Sequence, residues 1–199
     1  MAGLRSTSPQ VLMLARSTYM TPRDHGLAAA ALALFLDQGF KLLMLYGLSF
    51  AALGPSARIQ ILPFFNLVMV WNPGVSYGLF PAHTIWGTAF LVLFQLVAVI
   101  GLSWWLWNST RRSLAIGLGL VIGGAIGNLV DRAIYGRVAD FFHFYVQAYD
   151  WYVFNVADCA ITLGVIALLY DALLRPEGRA TDQRMSEQRI GKPGANEDV

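Results

Sequence analysis

The chain is 199 residues long, 56% hydrophobic and only 13% charged, with a formal net charge of +2. Such a balance lies far from that of an ordinary water-soluble domain, and the small, dispersed charge excludes a nucleic-acid-binding surface. One cysteine, Cys159, excludes a disulfide framework or a CxxC site, and the three histidines, His25, His83 and His143, have no HExxH spacing that would support a metalloprotease.

The first 25 residues are polar and mixed, carrying Arg5, Arg16 and Arg23, and are expected to form a cytoplasmic extension. Four apolar blocks follow, at about Gly26 to Tyr46, His83 to Trp107, Leu114 to Ile134 and Phe154 to Leu174. Each has the length that crosses a ~30 Å hydrocarbon layer as a helix, and helices satisfy their own backbone polar groups there. The first block lacks a small-residue cleavage site and reads as a retained anchor. Residues 175–199 carry Pro, Gly and charge without hydrophobic periodicity and are expected to be a disordered cytoplasmic tail. The domain between, residues 26–174, is the functional unit.

Basic residues gather before the first block, between the second and third (Arg111, Arg112) and after the fourth (Arg175, Arg179, Arg184, Arg189, Lys192). By the positive-inside rule both termini are cytoplasmic and both long connections face outward. The first connection, Ile59 to Phe80, mixes β-branched and aromatic residues broken by Pro and Gly, which predicts a small interfacial sheet or hairpin. The second, Phe141 to Trp151, is strongly aromatic, as a segment resting among lipid headgroups should be.

Ionisable residues in or beside hydrocarbon are costly and mark functional candidates. Asp37 lies about 16 Å along the first span, in its outward half, with Lys41 one turn beyond on the same face. The pair reads either as a structural ion pair or as part of a site. In the third span Gly124, Asn128 and Arg132 form one stripe at i, i+4 and i+8, and the Arg132 fork can orient a carbonyl or carboxylate. The neighbouring glycines, Gly117, Gly119, Gly123 and Gly127, point to close helix packing. Asp131, offset from that stripe, reads as a local structural partner beside Arg132. Asp140, just after the third span, and Asp158, entering the fourth, should meet near the outward interface. Asn155 shares a helix face with Asp158 and reads as a helix-start amide or as a donor to a carboxylate. Two carboxylates sharing one proton are the machinery of aspartic proteolysis, although spacing alone does not bring them together.

These residues fall in blocks that resemble a known family. Asp37-Gln38-Gly39-Phe40-Lys41, Asn72-Pro73-Gly74, the run from Gly123 to Arg132, Gly136 to Phe141, and Phe154-Asn155-Val156-Ala157-Asp158 look like the ordered signatures of lipoprotein signal peptidases (signal peptidase II). The resemblance covers Gly26 to Leu174. It implies a mainly α integral membrane fold of four transmembrane helices, with an outward-facing β-cradle and a short interfacial amphipathic helix. It implies Asp140 and Asp158 as the catalytic pair of an aspartic endopeptidase, with Asp37, Lys41, Asn72, Gly74, Gly124, Asn128, Arg132 and Asn155 binding substrate or supporting the site. No metal and no organic cofactor is implied. The implied substrate is a prolipoprotein whose lipobox Cys already carries diacylglycerol, cut just before that Cys. The chain is expected to work as a monomer among membrane lipids, in a bacterial inner membrane, with its site near the outer face. After Asn72 the sequence Pro-Gly-Val-Ser-Tyr-Gly departs from the family's usual Thr-Gly-Ala-Ala-Phe-Ser, and the N-terminal extension is longer than usual.

Two other classes compete. A small ion- or proton-coupled transporter would use Asp37, Lys41, Asp140 and Asp158 as a path, but the charges gather toward one face and no inverted repeat is evident. A structural assembly subunit would use the glycine-rich third span for helix pairing and would leave the outward carboxylates unexplained.

Overall fold

The computed structural model describes residues 20–74, 84–146 and 149–174. The expected extension and tail, and the variant loop after Gly74, fall almost wholly outside these residues. Among the described residues four helices are long and apolar enough to cross a membrane. Helix α1 spans Pro22–Leu42 and continues through a π-helical turn, Leu43–Gly47. Its start is fixed by a capping box: Thr21 Oγ1 accepts from the Asp24 N–H at 3.3 Å, the Thr21 N–H donates to Asp24 Oδ2 at 2.7 Å, and Pro22 occupies the first turn, where no N–H is needed. A short helix α2, Phe50–Leu53, precedes strands β1, Arg58–Leu62, and β2, Phe65–Asn72. Helices α3, Ile85–Trp107, and α4, Arg112–Tyr135, follow, then β3, Val138–Val146, β4, Tyr149–Phe154, and α5, Val156–Leu174.

Helix α4 is the centre of the bundle, and its glycines explain why. A Cβ on Gly119 would strike the Gly26 carbonyl of α1, and one on Gly123 would strike the Ala30 carbonyl; on the opposite side a Cβ on Gly124 would lie 2.5 Å from the Ala157 carbonyl of α5. The absent side chains let three backbones approach closely, the device expected where lipid supplies no hydrophobic drive between helices. Helix α3 packs more thinly. It buries Leu91 and Leu106 and leaves Trp86, Phe90, Phe94 and Trp104 exposed on a surface suited to lipid.

The four strands form one antiparallel sheet in the order β1-β2-β3-β4. The hairpin expected in the first outward connection is β1 and β2. The second connection supplies the other half, since its aromatic run folds as β3 and β4 and extends the same sheet. Phe65 stacks on Phe144 at 4.6 Å and Phe144 on Phe154 at 5.9 Å, so one face is an aromatic ladder. The other face packs Met69, Ala139 and Phe141 against Met44, Leu45 and Phe50 at the C-terminal end of α1 and in α2. Gly136 ends α4 in the left-handed conformation, φ 70°, donating its N–H to the Arg132 carbonyl. That stop turns the chain directly into β3 and sets Asp140 four residues past the cap.

Candidate active site

The C-terminal ends of α1 and α4 and the N-terminal end of α5 meet the sheet at a polar cluster that includes Asp37, Lys41, Asn72, Asn128, Asp131, Arg132, Asp140, Asn155 and Asp158. Asn155 sits at its centre and serves both roles open to it. Its side-chain oxygen accepts the Asp158 N–H at 3.0 Å while its own N–H donates to Asp158 Oδ2 at 3.3 Å, a reciprocal cap on the start of α5. Its side-chain NH2 donates to Asp140 Oδ1 at 2.6 Å and to Asn128 Oδ1 at 3.2 Å. One residue thus touches both Asp140, on β3, and Asp158, at the start of α5.

Each carboxylate has a further amide donor. Asn72, at the end of β2, donates to Asp140 Oδ2 at 3.0 Å, and Asn128 donates to Asp158 Oδ1 at 3.0 Å. Asp140 is 1% exposed. Burial, followed by the nearby charge of Asp158, pushes its carboxyl up to about 7, against the opposing hydrogen bonds from Asn72 and Asn155 and the positive charge of Lys41. A carboxyl group that keeps its proton almost to neutral pH near a second, half-buried carboxyl group can donate a proton while its neighbour accepts one.

Behind this pair, Lys41 Nζ lies 2.8 Å from Asp37 Oδ2, 2.9 Å from Asp131 Oδ2 and 3.2 Å from Asn128 Oδ1. Asp37 and Lys41 therefore pair on α1 as their spacing implied. Asp131 pairs with Lys41 across the helix interface, not with its chain neighbour Arg132, because successive helical residues point to different sides. Arg132 faces the sheet and α3: Nη2 donates to the Gly74 carbonyl at 2.6 Å and Nη1 to Gln95 Oε1 at 3.1 Å. The carbonyl it orients belongs to the protein's own loop, where Asn72 Oδ1 also accepts the Gly74 N–H at 3.0 Å. Gly124 contributes by packing, as the contact with Ala157 shows.

Three polar partners escaped the sequence reading. Gln38 donates to Asp37, Asp131 and the Gly127 carbonyl. Gln95 joins α3 to Arg132, and an amide in the middle of an apolar span was a signal that could have found it. Tyr152 bonds Asn72 at 2.5 Å and had no mark to distinguish it within its aromatic run. Among the described residues no group of three or more His, Cys, Asp or Glu side chains is gathered to hold a metal ion.

Asp158, Asn128 and Arg132 form the polar end of a groove of about 800 Å³ between α3, α4, α5 and the edge of β4. Its walls are otherwise mainly apolar, with Leu91, Phe94, Leu102, Ile161 and Leu163 along the helices and Trp151 and Phe154 at the sheet, broken by Gln95, Tyr152 and Thr162. Asp158 thus faces a largely apolar groove.

The model of the signal peptidase (SPase) II family matches residues 29–174. The chain belongs to the signal peptidase II family. Lipoprotein signal peptidases from Rhodopseudomonas palustris CGA009 and Nitrobacter hamburgensis are 48% and 47% identical to it over 159 and 160 residues, covering 78% of this chain in each case and 95% and 96% of those proteins. One from Methylobacterium sp. 4-46 is 45% identical over 168 residues, covering 80% of this chain and all of that protein. The fold resembles two bacterial membrane enzyme structures solved by the in meso method. They give TM-scores of 0.64 and 0.62 at 24% and 23% identity, and cover 77% and 74% of this chain and 93% and 92% of those chains. A signal peptidase II is a protease that acts in lipoprotein processing, so the transporter and assembly readings fall away. The four apolar helices agree with a multi-pass membrane member of that family.

Proposed function

We propose that this signal peptidase II removes the signal peptide of diacylglyceryl-modified prolipoproteins by aspartic proteolysis, cutting before the lipidated Cys, with Asp140 and Asp158 as the catalytic pair. The observation that carries the reading is the bridge through Asn155, whose amide contacts Asp140 and whose backbone contacts Asp158 at the polar end of the apolar groove. One carboxylate takes a proton from water, whose oxygen attacks the scissile carbonyl carbon. The other, carrying the proton the pair shares, donates it to the carbonyl oxygen. Collapse of the resulting diol breaks the C–N bond, and the departing amine takes up a proton as the pair is restored. The pair acts and titrates as a unit.

In this reading the groove receives the acyl chains beside Leu91, Phe94 and Leu163, which supports a lipid-modified substrate over an unmodified peptide. The peptidase unit is residues 26–174, acting as a monomer. Both termini are cytoplasmic and the catalytic pair lies near the outer face of a bacterial inner membrane, since the basic residues concentrate at the opposite ends of the spans. Reporter fusions test that orientation, and an external C-terminus would reverse it. The direct test is incubation of purified protein with diacylglyceryl-modified precursor. Asp140→Asn and Asp158→Asn should each abolish cleavage and still bind precursor, because Asn keeps the size of Asp and loses the proton transfer. Near-normal processing by either variant, in membranes free of wild-type enzyme, would remove the proposed dyad.

A further inference from the structure

We infer that Asp131, Lys41 and Asp37 form a clamp that positions the two proposed catalytic carboxylates by holding the backbone N–H of the residue just before each one. The inference rests on the aspartic reading above. The Ala139 N–H, immediately before Asp140, donates to Asp131 Oδ2 at 3.0 Å. The Ala157 N–H, immediately before Asp158, donates to Asp37 Oδ1 at 2.8 Å. Lys41 Nζ joins the two holding carboxylates at 2.8 and 2.9 Å, and the Gln38 amide joins them again at 3.1 and 3.2 Å. The third donor of Lys41 goes to Asn128, which itself donates to Asp158.

Asp37, Lys41 and Asp131 are 0%, 2% and 2% exposed and line no part of the groove, so they act through the backbone and not on substrate. Asp140 rides on a strand and Asp158 on a helix, and those two elements need a common reference if the carboxylates are to keep one separation. An acceptor oxygen on each preceding N–H, with one ammonium between the acceptors, supplies it. Gly127 leaves the room for this arrangement, because a Cβ there would overlap Asp37 Oδ2. Displacements on the order of 1 Å at reacting groups cost about a hundredfold in rate, so a positioning clamp should appear in kcat.

The test compares Asn with Leu at Asp131 and at Asp37, since Asn keeps an acceptor oxygen and Leu has similar bulk without one. Full-length protein is purified in detergent, folded molecules are counted by size-exclusion recovery and thermal melting, and kcat and KM are measured on a diacylglyceryl-modified precursor. Each Leu variant should lose about tenfold or more in kcat per folded molecule with KM within about twofold, while each Asn variant keeps kcat within about fivefold. An unchanged kcat in folded Asp131→Leu, or an Asn variant as damaged as its Leu counterpart, would overturn the clamp. If neither Leu variant folds, the Asn variants decide, and a loss of more than about tenfold in either one overturns it. The same assay separates this inference from the reading beneath it: Asn is fatal at Asp140 and Asp158 if they are the dyad and tolerated at Asp131 and Asp37 if they are the clamp. Retained cleavage by Asp140→Asn would therefore sink the dyad itself.

Discussion

Replacing Asp140 by Asn should change how stability depends on pH, in a way separable from any constant cost of the substitution. Burial and the neighbouring Asp158 raise the Asp140 carboxyl from an ordinary 3.8 to about 7. Between those values the folded protein binds a proton that the unfolded chain has released. The favourable contribution is therefore complete below pH 3.8 and is lost as pH rises through about 7. With a slope of ~1.4 kcal/mol per pH unit that flattens as pH nears the folded value, the wild type should lose ~2 kcal/mol relative to Asp140→Asn between pH 5 and pH 7, with a small further loss above. Asn brings its own penalty. Asp140 accepts from Asn72 and Asn155, and an amide there must turn its NH2 toward one of those donors, which costs ~1–3 kcal/mol. That penalty does not vary with pH, so it offsets the two stability curves without changing their relative slope. Thermal unfolding of detergent-purified wild type and Asp140→Asn from pH 5 to pH 8.5 measures the slope. Parallel curves would show that Asp140 does not carry the raised pKa and would remove the physical basis for a proton held by the proposed pair near neutral pH.

Lys41→Ala should destabilise the protein by ~3–5 kcal/mol, because it leaves Asp37 and Asp131 buried without their cation. Arg112→Ala, at an exposed position, should change melting little, and equal melting of both variants would make the buried pairing incidental. Gly127→Ala should cost ~1–3 kcal/mol through overlap with Asp37, whereas Gly39→Ala, whose new Cβ meets nothing, should be neutral or stabilising by up to ~1 kcal/mol; denaturation in detergent compares them. Ala98→Phe narrows the groove without touching the carboxylates and should raise KM for lipid-modified precursor by about fivefold or more with kcat preserved. An unchanged KM would place the acyl chains elsewhere.

The four spans were legible because a membrane helix announces itself by length and hydropathy, and the Asp37–Lys41 pair because i, i+4 neighbours on a helix must meet. The small residues of α4 likewise carried their packing role in plain view. The pairing of distant segments was not legible. Asp37 to Ala157, Lys41 to Asp131 and Arg132 to Gly74 are contacts between elements far apart in the chain, for which spacing supplies no distance. The sequence marks Asp131 as a local structural partner but does not name Lys41, since a helix turns Asp131 away from the adjacent Arg132 and toward another helix. The strands β3 and β4 were hidden because both faces of the run are aromatic: Phe141 is fully buried while Phe144 keeps 38% exposure, so no polar alternation marks the period of two. The convergence of Asp140 and Asp158 on Asn155 needed that second hairpin, which bends the chain from β3 back to the start of α5.

Synthesis from the N-terminus delivers Asp37 and Lys41 to the bilayer before Asp131, Asn128 and the Ala157 N–H exist. An aspartate or lysine alone at the middle of a helix opposes insertion by ~2.5–3.5 kcal/mol each. Carried as an i, i+4 pair on one helix, 2.8 Å apart, the two charges enter already neutralised by each other. The first span can thus be integrated as a single segment and hold its pair ready until the third and fourth spans arrive. The nascent chain carries its own counter-ion, and the ammonium that lets the first helix into the membrane becomes the post around which the later helices assemble.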